Sequence, residues 1–439
     1  MNRPHPRSSA EGLIRADSEF RPRLDRLLAD ADGDAVENTI HADGQTAADT
    51  LLARIVWARL VEPGDAVAGG LVGALGAVPA LDLLASNAPI ARVRELVRTA
   101  AGADPDPAAL ARAFRRWRLR LDRSATVADI ERGLEARMRI VTPESEGWPS
   151  ALADLGDHAP LLLWVRGDPA ALTGFSLAVV GARACTGYGS HVTAELTESV
   201  CEAGTTIVSG AAYGIDAVAH RTALALGAPT IAVLAGGADM PYPSSHGPLL
   251  ERIVDSGAVC SEMVPGSAPT RWRFLQRNRS IAALARATLV TEAGVRSGSL
   301  NTAGHAAELG RPLGAVPGPV TSAASAGCHR LLREYGATLV TNGAEAREFL
   351  GLSDEPALFD LDSRGADAPE TARQPARHRR VLDALPLRGS RDVVEVARRA
   401  GLEIAEARSA LAELELLGAV AHRETPESGE SRWALLRRE

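Results

Sequence analysis

Apolar residues keep two different rhythms along the chain. From Thr46 to about Arg139 they recur at helical spacing, as in TLLARIVWARLVEPGDAVAGGLVGALG and then around Phe114, Trp117 and Leu121. This predicts a helical domain over residues 46–139. From Phe175 the texture changes to short apolar runs that end in Gly-rich turns and lead into Ala-rich helices. Strands are predicted at 176–181, 205–210, 230–236, 257–262, 287–293, 312–318 and 337–342. Strands alternating with helices imply an α/β fold: a doubly wound, mostly parallel, Rossmann-like sheet covered on both faces, over residues 140–350. Such sheets bind ligands at the carboxyl ends of their strands, and the glycine clusters fall there.

The flanks read differently. Residues 1–45 are rich in Asp, Arg, Ala and Gly with little periodicity, which predicts a mobile tail. A charged, Pro/Gly-bearing stretch at 351–376 reads as a linker. Residues 377–439 carry helical patterns near 378–385, 391–400 and 404–417, followed by a hairpin pattern, which together predict a winged-helix domain. The third of these helices holds Glu403, Glu406, Glu413 and Glu415 against one arginine. A phosphate-lined groove would repel it, so protein contact or dimer packing is expected there.

Composition narrows the function classes. The formal charge of −7 restricts any nucleic-acid site to a local patch. Every one of the basic Lys/Arg positions is arginine, which excludes a Walker A lysine, a Schiff-base lysine and a lysine-anchored pyridoxal phosphate. Cys185, Cys201, Cys260 and Cys328 are scattered without a CxxC pair, so buried, inert thiols are expected rather than a disulfide framework or zinc cluster. No apolar stretch has membrane-span length, and the first residues lack the apolar core of a signal peptide, so the chain is expected in the cytoplasm with no membrane partner.

Four loops carry candidate chemistry. In VVGARACTGYGSH, Gly181, Arg183, Gly187 and Gly189 lie between a strand and a helix, where backbone N–H groups favour an anion. The spacing departs from the dinucleotide G-x-G-x-x-G, and Arg183 suits a phosphodiester better than a pyrophosphate; an ordinary turn with a solvated arginine is the competing account. In SGAAYGIDAVAH, Asp216 and His220 share a helical face as an acid/base pair would, yet no nucleophile accompanies them, and a dipole-favoured Asp216 bonded to His220 explains them more simply. The segment TRWRFLQRNRSIAALA interleaves Arg271, Arg273, Arg277 and Arg279 with Trp272 and Phe274 immediately before a helix. Charge for phosphate beside a flat ring for a base is what an unpaired strand needs, against a core role for the rings. In EAGVRSGSLNTAGHAAELG, Ser297, Gly298, Ser299 and Thr302 offer a nest for an oxyanion or, equally well, a helix cap. The helix RAFRRWRLRLDR alternates Arg and Trp, but the spacing of Phe114, Trp117 and Leu121 favours an amphipathic core helix.

Taken in order, these stretches resemble the DNA-processing protein A (DprA/Smf) family over residues 140–345. The segments are WPSALADLGDHAPLLLWVRGD, VVGARACTGYG, SGAAYGIDAVAH, AVLAGGADMPYP, SEMVPGSAPTRWRFLQRNRSIAALA, VTEAGVRSGSLNTAGHAAELGR and AVPGPV. The resemblance implies an extended Rossmann-like domain with a helical (SAM-like) N-terminal region and a winged-helix tail. It also implies a protein that binds single-stranded DNA, dimerises, and helps RecA displace single-strand-binding protein during natural transformation. It implies no catalysis and no cofactor. By motif, Arg183, Arg277, Asn278 and Arg279 are the pocket residues it points to, with Phe274 as a stacking surface and Gly298, Ser299 and Thr302 on a phosphate-facing rim. With Gly181, Gly187, Tyr213, Arg271 and Arg273 these form the expected DNA-binding set. Three positions depart from the family: Tyr213 where Lys or Arg is frequent, Leu275 where proline is usual after Phe274, and Ala182 where Ser or Thr is common.

Two other function classes fit parts of the pattern. A Rossmann-like enzyme acting on a nucleotide or nucleoside monophosphate would need an acid/base such as Asp216 or Glu292 facing the pocket. A winged-helix transcription regulator would need a basic recognition helix, which the acidic third helix contradicts.

Overall fold

The computed structural model describes residues 16–28, 47–352, 376–386, 389–416, 419–424 and 431–436. The chain forms two compact units, residues 1–357 and 358–439.

The first unit opens with helices α1 (Arg21–Leu28), α2 (Ala47–Leu60), α3 (Ala66–Leu75), α4 (Ala77–Ala85), α5 (Ile90–Ala101), α6 (Pro107–Arg118) and α7 (Arg123–Glu135). Asp65, Asp106 and Asp122 cap α3, α6 and α7 by accepting main-chain N–H bonds. Phe114 and Trp117 of α6 are buried, with Trp117 edge-on to Trp57 of α2 at 5.1 Å, so this Arg/Trp helix is a core helix. Helix α1 falls in the stretch expected to be a mobile tail. Its Phe20, Leu24 and Leu27 are fully buried at i, i+4, i+7 spacing, a pattern that the surrounding charges mask, and the tail expectation is corrected for residues 16–28. The rest of that tail, and residues 353–375 of the expected linker, lie outside the described residues.

A nine-stranded sheet follows, built from β1 (Arg139–Val141), β2 (Leu163–Gly167), β3 (Ser176–Gly181), β4 (Thr206–Ser209), β5 (Thr230–Val233), β6 (Ala258–Ser261), β7 (Ala287–Glu292), β8 (Leu313–Ala315) and β9 (Thr338–Leu339). Their order is β1-β2-β6-β5-β4-β3-β7-β8-β9, parallel from β6 to β9. All seven predicted strands are present. The antiparallel pair β1 and β2, which the sequence pattern did not single out, extends the edge beside β6. Between the strands run α8 (Gly187–Glu202), α9 (Ile215–Ala225), α10 (Gly247–Ser256), α11 (Arg271–Leu284), α12 (Ser299–Glu308), α13 (Ala326–Glu334) and α14 (Gly343–Phe349).

Both sheet faces are dry, and alternate residues of β3 show how. Leu177 and Val179 pack into one cluster with α8 and α9, while Ala178 and Val180 pack into another with α11. The N-terminal helices share a single apolar cluster with Ile140, Trp164, Ala232 and Val259 of the sheet. They therefore form one body with the sheet rather than a domain of their own. No single helix among the described residues is long and apolar enough to cross a membrane.

The second unit contains α15 (Ala376–Ala384), β10 (Arg391–Asp392), α16 (Val393–Ala400), α17 (Ile404–Leu416), β11 (Val420–Glu424) and β12 (Ser431–Leu435). Its strands pair antiparallel in the order β10-β12-β11 over a core of Val381, Val396, Leu411, Leu414 and Trp433.

Candidate functional site

Strand order reverses at β3, whose parallel neighbours are β4 on one side and β7 on the other. Loops diverge at the carboxyl end of such a switch point and leave a crevice. Here the crevice is a cleft of about 930 Å³. The turns after β3 and β7, the start of α12 and one face of α11 form its walls.

Close backbone contacts hold these loops. Gly214 adopts φ +75°, and a Cβ there would sit 2.2 Å from the Ala182 carbonyl oxygen and 2.5 Å from that of Arg183, so only glycine lets the turn after β4 lie against the turn after β3. Gly210 gives way in the same sense to the Arg277 guanidinium, which a Cβ would meet at 2.5 Å.

Of the thirteen residues expected to bind DNA, Gly181, Arg183, Arg271, Phe274, Arg277, Asn278, Gly298, Ser299 and Thr302 line the cleft. Arg183 and Arg271 are exposed. The Arg183 guanidinium carbon stands 5.0 Å from the centre of the Phe274 ring, and the Tyr242 ring packs tilted against Phe274 with centroids 5.2 Å apart. Asn278 donates to Asn301 Oδ1 at 3.1 Å and ties α11 to the start of α12. There Ser297 and Ser299 bond each other at 2.7 Å, and Ser297 Oγ accepts the Ser299 N–H at 3.4 Å.

Four expected residues stand elsewhere. Arg273 pairs with Glu62 at 2.8 Å, two residues past α2, and Arg279 is buried against Glu262 at 2.6 Å. Their charges are neutralised by protein carboxylates, and the expectation that they share the pocket does not match this placement. Gly187 begins α8 outside the lining. Tyr213 lies in an adjoining shallow groove. Arg277 reaches the cleft but is only 6 % exposed, and its guanidinium donates to the carbonyls of Gly210 and Val233. Burial lowers its pKa to about 10, with the Asp216 carboxylate acting in the opposite direction.

The acid/base candidates are occupied with structure. Asp216 accepts main-chain N–H bonds from Gly210 (3.2 Å) and Ala212 (3.3 Å); burial raises its pKa against the pull of Arg277. His220 bonds Thr230 Oγ1 at 2.7 Å, not Asp216, and burial drives its pKa down to about 3. Glu292 is buried and accepts from the Thr186 N–H (2.8 Å) and hydroxyl (2.6 Å), fixing the start of α8. Cys201, Cys260 and Cys328 are buried thiols pushed up to about 12 by burial, and no cluster of metal-ligating side chains exists among the described residues.

Comparisons with known proteins place this chain in a family. The profile described as DNA recombination-mediator protein A matches residues 139–351. A DprA-designated DNA processing protein of Mycobacterium tuberculosis is 44% identical over 341 residues, 73% of this chain and 82% of that one. The chain belongs to the DprA/Smf family. Protein Smf of Escherichia coli is 38% identical over 64% of this chain and 75% of its own. The X-ray structure of DNA processing protein A from Streptococcus pneumoniae superposes with a TM-score of 0.54 at 29% identity, over 68% of this chain and 96% of that one. A Helicobacter pylori DNA processing protein A, described with a single-stranded DNA binding mode, covers 49% of this chain at a TM-score of 0.44 and 28% identity. The matched family is described as a recombination mediator, and the Streptococcus pneumoniae relative is named for DNA processing; neither description names a reaction.

Two cleft residues of this DprA-family chain escaped sequence reasoning. Arg296 sits exposed in the turn after β7, and Tyr242 lies 47% exposed beside Phe274. Both stand inside quoted motifs, VTEAGVRSGS and GGADMPYP, but no spacing marks them out. Leu275, where the family has proline, is 38% exposed on the cleft wall.

Proposed function

We propose that this protein binds single-stranded DNA in the cleft and loads RecA recombinase onto the strand during DNA uptake and recombination. One observation carries the DNA reading. Arg183, Arg271 and Arg296 line the cleft, and their side chains have no ion-pair or hydrogen-bond partner among the described residues. The one acidic side chain in the lining, Asp216, is buried and engaged by backbone N–H groups. Free guanidinium groups around the Tyr242–Phe274 pair offer charge for phosphates and faces for bases, and a face is of use only to an unpaired base. The Ser297 and Ser299 hydroxyls at the start of α12 add a donor for a further phosphate oxygen.

RecA loading, displacement of single-strand-binding protein, dimerisation and a cytoplasmic location rest on family membership. The second unit we assign as a winged helix, from its order of helix, strand, two helices and hairpin. Glu403 just before α17 and Glu406 and Glu415 on it are exposed, so this unit is assigned to protein contact rather than to a phosphate groove.

Fluorescence anisotropy of labelled oligothymidylate, single- and double-stranded, tests the reading with wild type and an Arg183→Ala/Arg296→Ala double variant. Preferential single-strand binding that weakens with salt and collapses in the variant is expected. Absence of single-strand binding at low salt overturns it. RecA filament assembly on strands coated with single-strand-binding protein tests the loading step: no acceleration by the wild type refutes it.

A further inference from the structure

The cleft is not the whole of the basic, aromatic surface. Next to the cleft lies a shallow groove of about 670 Å³, and Arg183 and Ala184 line both. Tyr213 and Arg221 both line this groove. Tyr213 is 50% exposed, yet its position is fixed: its hydroxyl bonds Ser245 Oγ at 2.8 Å, and its ring meets His246 edge-on at 4.9 Å. His246 is itself buried and bonded to the Ala211 carbonyl at 2.9 Å. Gly214 presses the turn that bears Tyr213 against the Arg183 backbone. A large, exposed ring held this firmly is a preorganised face, because its rotamer entropy is already spent in the free protein. Arg221, on the first turns of α9, is exposed and its side chain has no ion-pair or hydrogen-bond partner among the described residues. No acidic side chain lines the groove.

We propose that the groove is a second nucleotide subsite, in which a strand leaving the cleft over Arg183 stacks its next base on Tyr213 and sets a phosphate against Arg221. The occupant follows from adjacency and charge: a ligand that fills the cleft and extends past Arg183 meets another aromatic face and another free guanidinium, the same pair of chemistries as before. A departure from the basic residue frequent at position 213 then exchanges one ionic contact for a stacking one. The proposal rests on the cleft being a single-strand site.

The test is a series of oligothymidylates lengthened one nucleotide at a time, measured by anisotropy with wild type, Tyr213→Ala/Arg221→Gln and Tyr213→Phe, each checked for folding by thermal melting. In the wild type, affinity is expected to step up about tenfold where the strand first reaches the groove, the yield of one stacked base. The double variant loses that step, and its salt slope on long strands falls by about 0.7, one phosphate's worth. Tyr213→Phe keeps the ring and keeps the step. A double variant with the wild-type step and slope overturns the subsite while leaving the cleft reading intact. If the wild type binds no single strand of any length, both fall together.

Discussion

Salt dependence counts phosphates, and the cleft makes a definite count. Arg183, Arg271 and Arg296 are exposed, line the cleft and have no ion-pair partner among the described residues, whereas Arg273 and Arg279 are paired with Glu62 and Glu262 and Arg277 is buried on two carbonyls. Each free guanidinium that takes a phosphate adds about 0.7 to the slope of log affinity against log salt, so a strand short enough to occupy the cleft alone should give a slope of about 2.1. Between about 50 mM and about 200 mM salt that slope costs roughly twentyfold in affinity, and with Arg296→Ala it drops to about 1.4, a loss of roughly sevenfold. The control is Arg279→Gln with Glu262→Gln, which removes both charges of a buried pair and leaves neither ion stranded. Its slope should stay at about 2.1. Anisotropy titrations across a salt series measure all three. If the paired control lowers the slope as much as Arg296→Ala does, the division between free and engaged arginines is refuted.

Three further outcomes follow from the packing around the cleft. Arg277→Met leaves the Gly210 and Val233 carbonyls without their donor and Asp216 without its neighbouring cation, which should cost about 2–4 kcal/mol, read as a lowered urea midpoint; unchanged stability contradicts its bracing role. Gly214→Ala forces a Cβ to within 2.2 Å of the Ala182 carbonyl at φ +75°, so a loss of at least about 1–3 kcal/mol is expected, together with weaker strand binding as Arg183 shifts. His220 has a folded pKa near 3 against 6.5 when free, so the unfolded chain takes up the proton first. Its contribution is complete above about pH 6.5 and is lost as pH falls from there towards the folded value, with about 2 kcal/mol gone at about pH 5. A His220→Gln variant should therefore lose less stability over that window in denaturant titrations, and equal losses would exclude His220 as the source.

The architecture was legible because strand and helix periods differ, and seven strands with Gly-rich carboxyl ends leave few arrangements besides a doubly wound sheet. The site was legible as a set of loops, since glycines such as Gly210 and Gly214 are required where loops or a guanidinium approach closely. What sequence spacing did not separate was free charge from spent charge. The run from Arg271 to Arg279 was read as a strip of alternating cations ahead of a helix, but Thr270 caps that helix and Arg271 already lies in its first turn. At about 100° per residue, Arg273 and Arg279 are turned about 120° to opposite sides of the face that carries Phe274 and Asn278, whereas Arg271 lies within about 40° of it. The helix thus sorts four similar arginines by direction: Arg271 to the cleft, Arg277 inward to the ends of β4 and β5, Arg273 and Arg279 to carboxylates on either side. The carboxylate partners lie far away in sequence, Glu62 most of all, and no local pattern announces them. Arg296 escaped for the opposite reason, since it stands alone in a turn and only the fold brings it to the same cleft as Arg183 and Arg271. A net-negative chain can thus build a cationic site without enriching any segment in charge: the fold neutralises Arg273 and Arg279 with carboxylates and leaves Arg183, Arg271 and Arg296 unpaired where their loops converge.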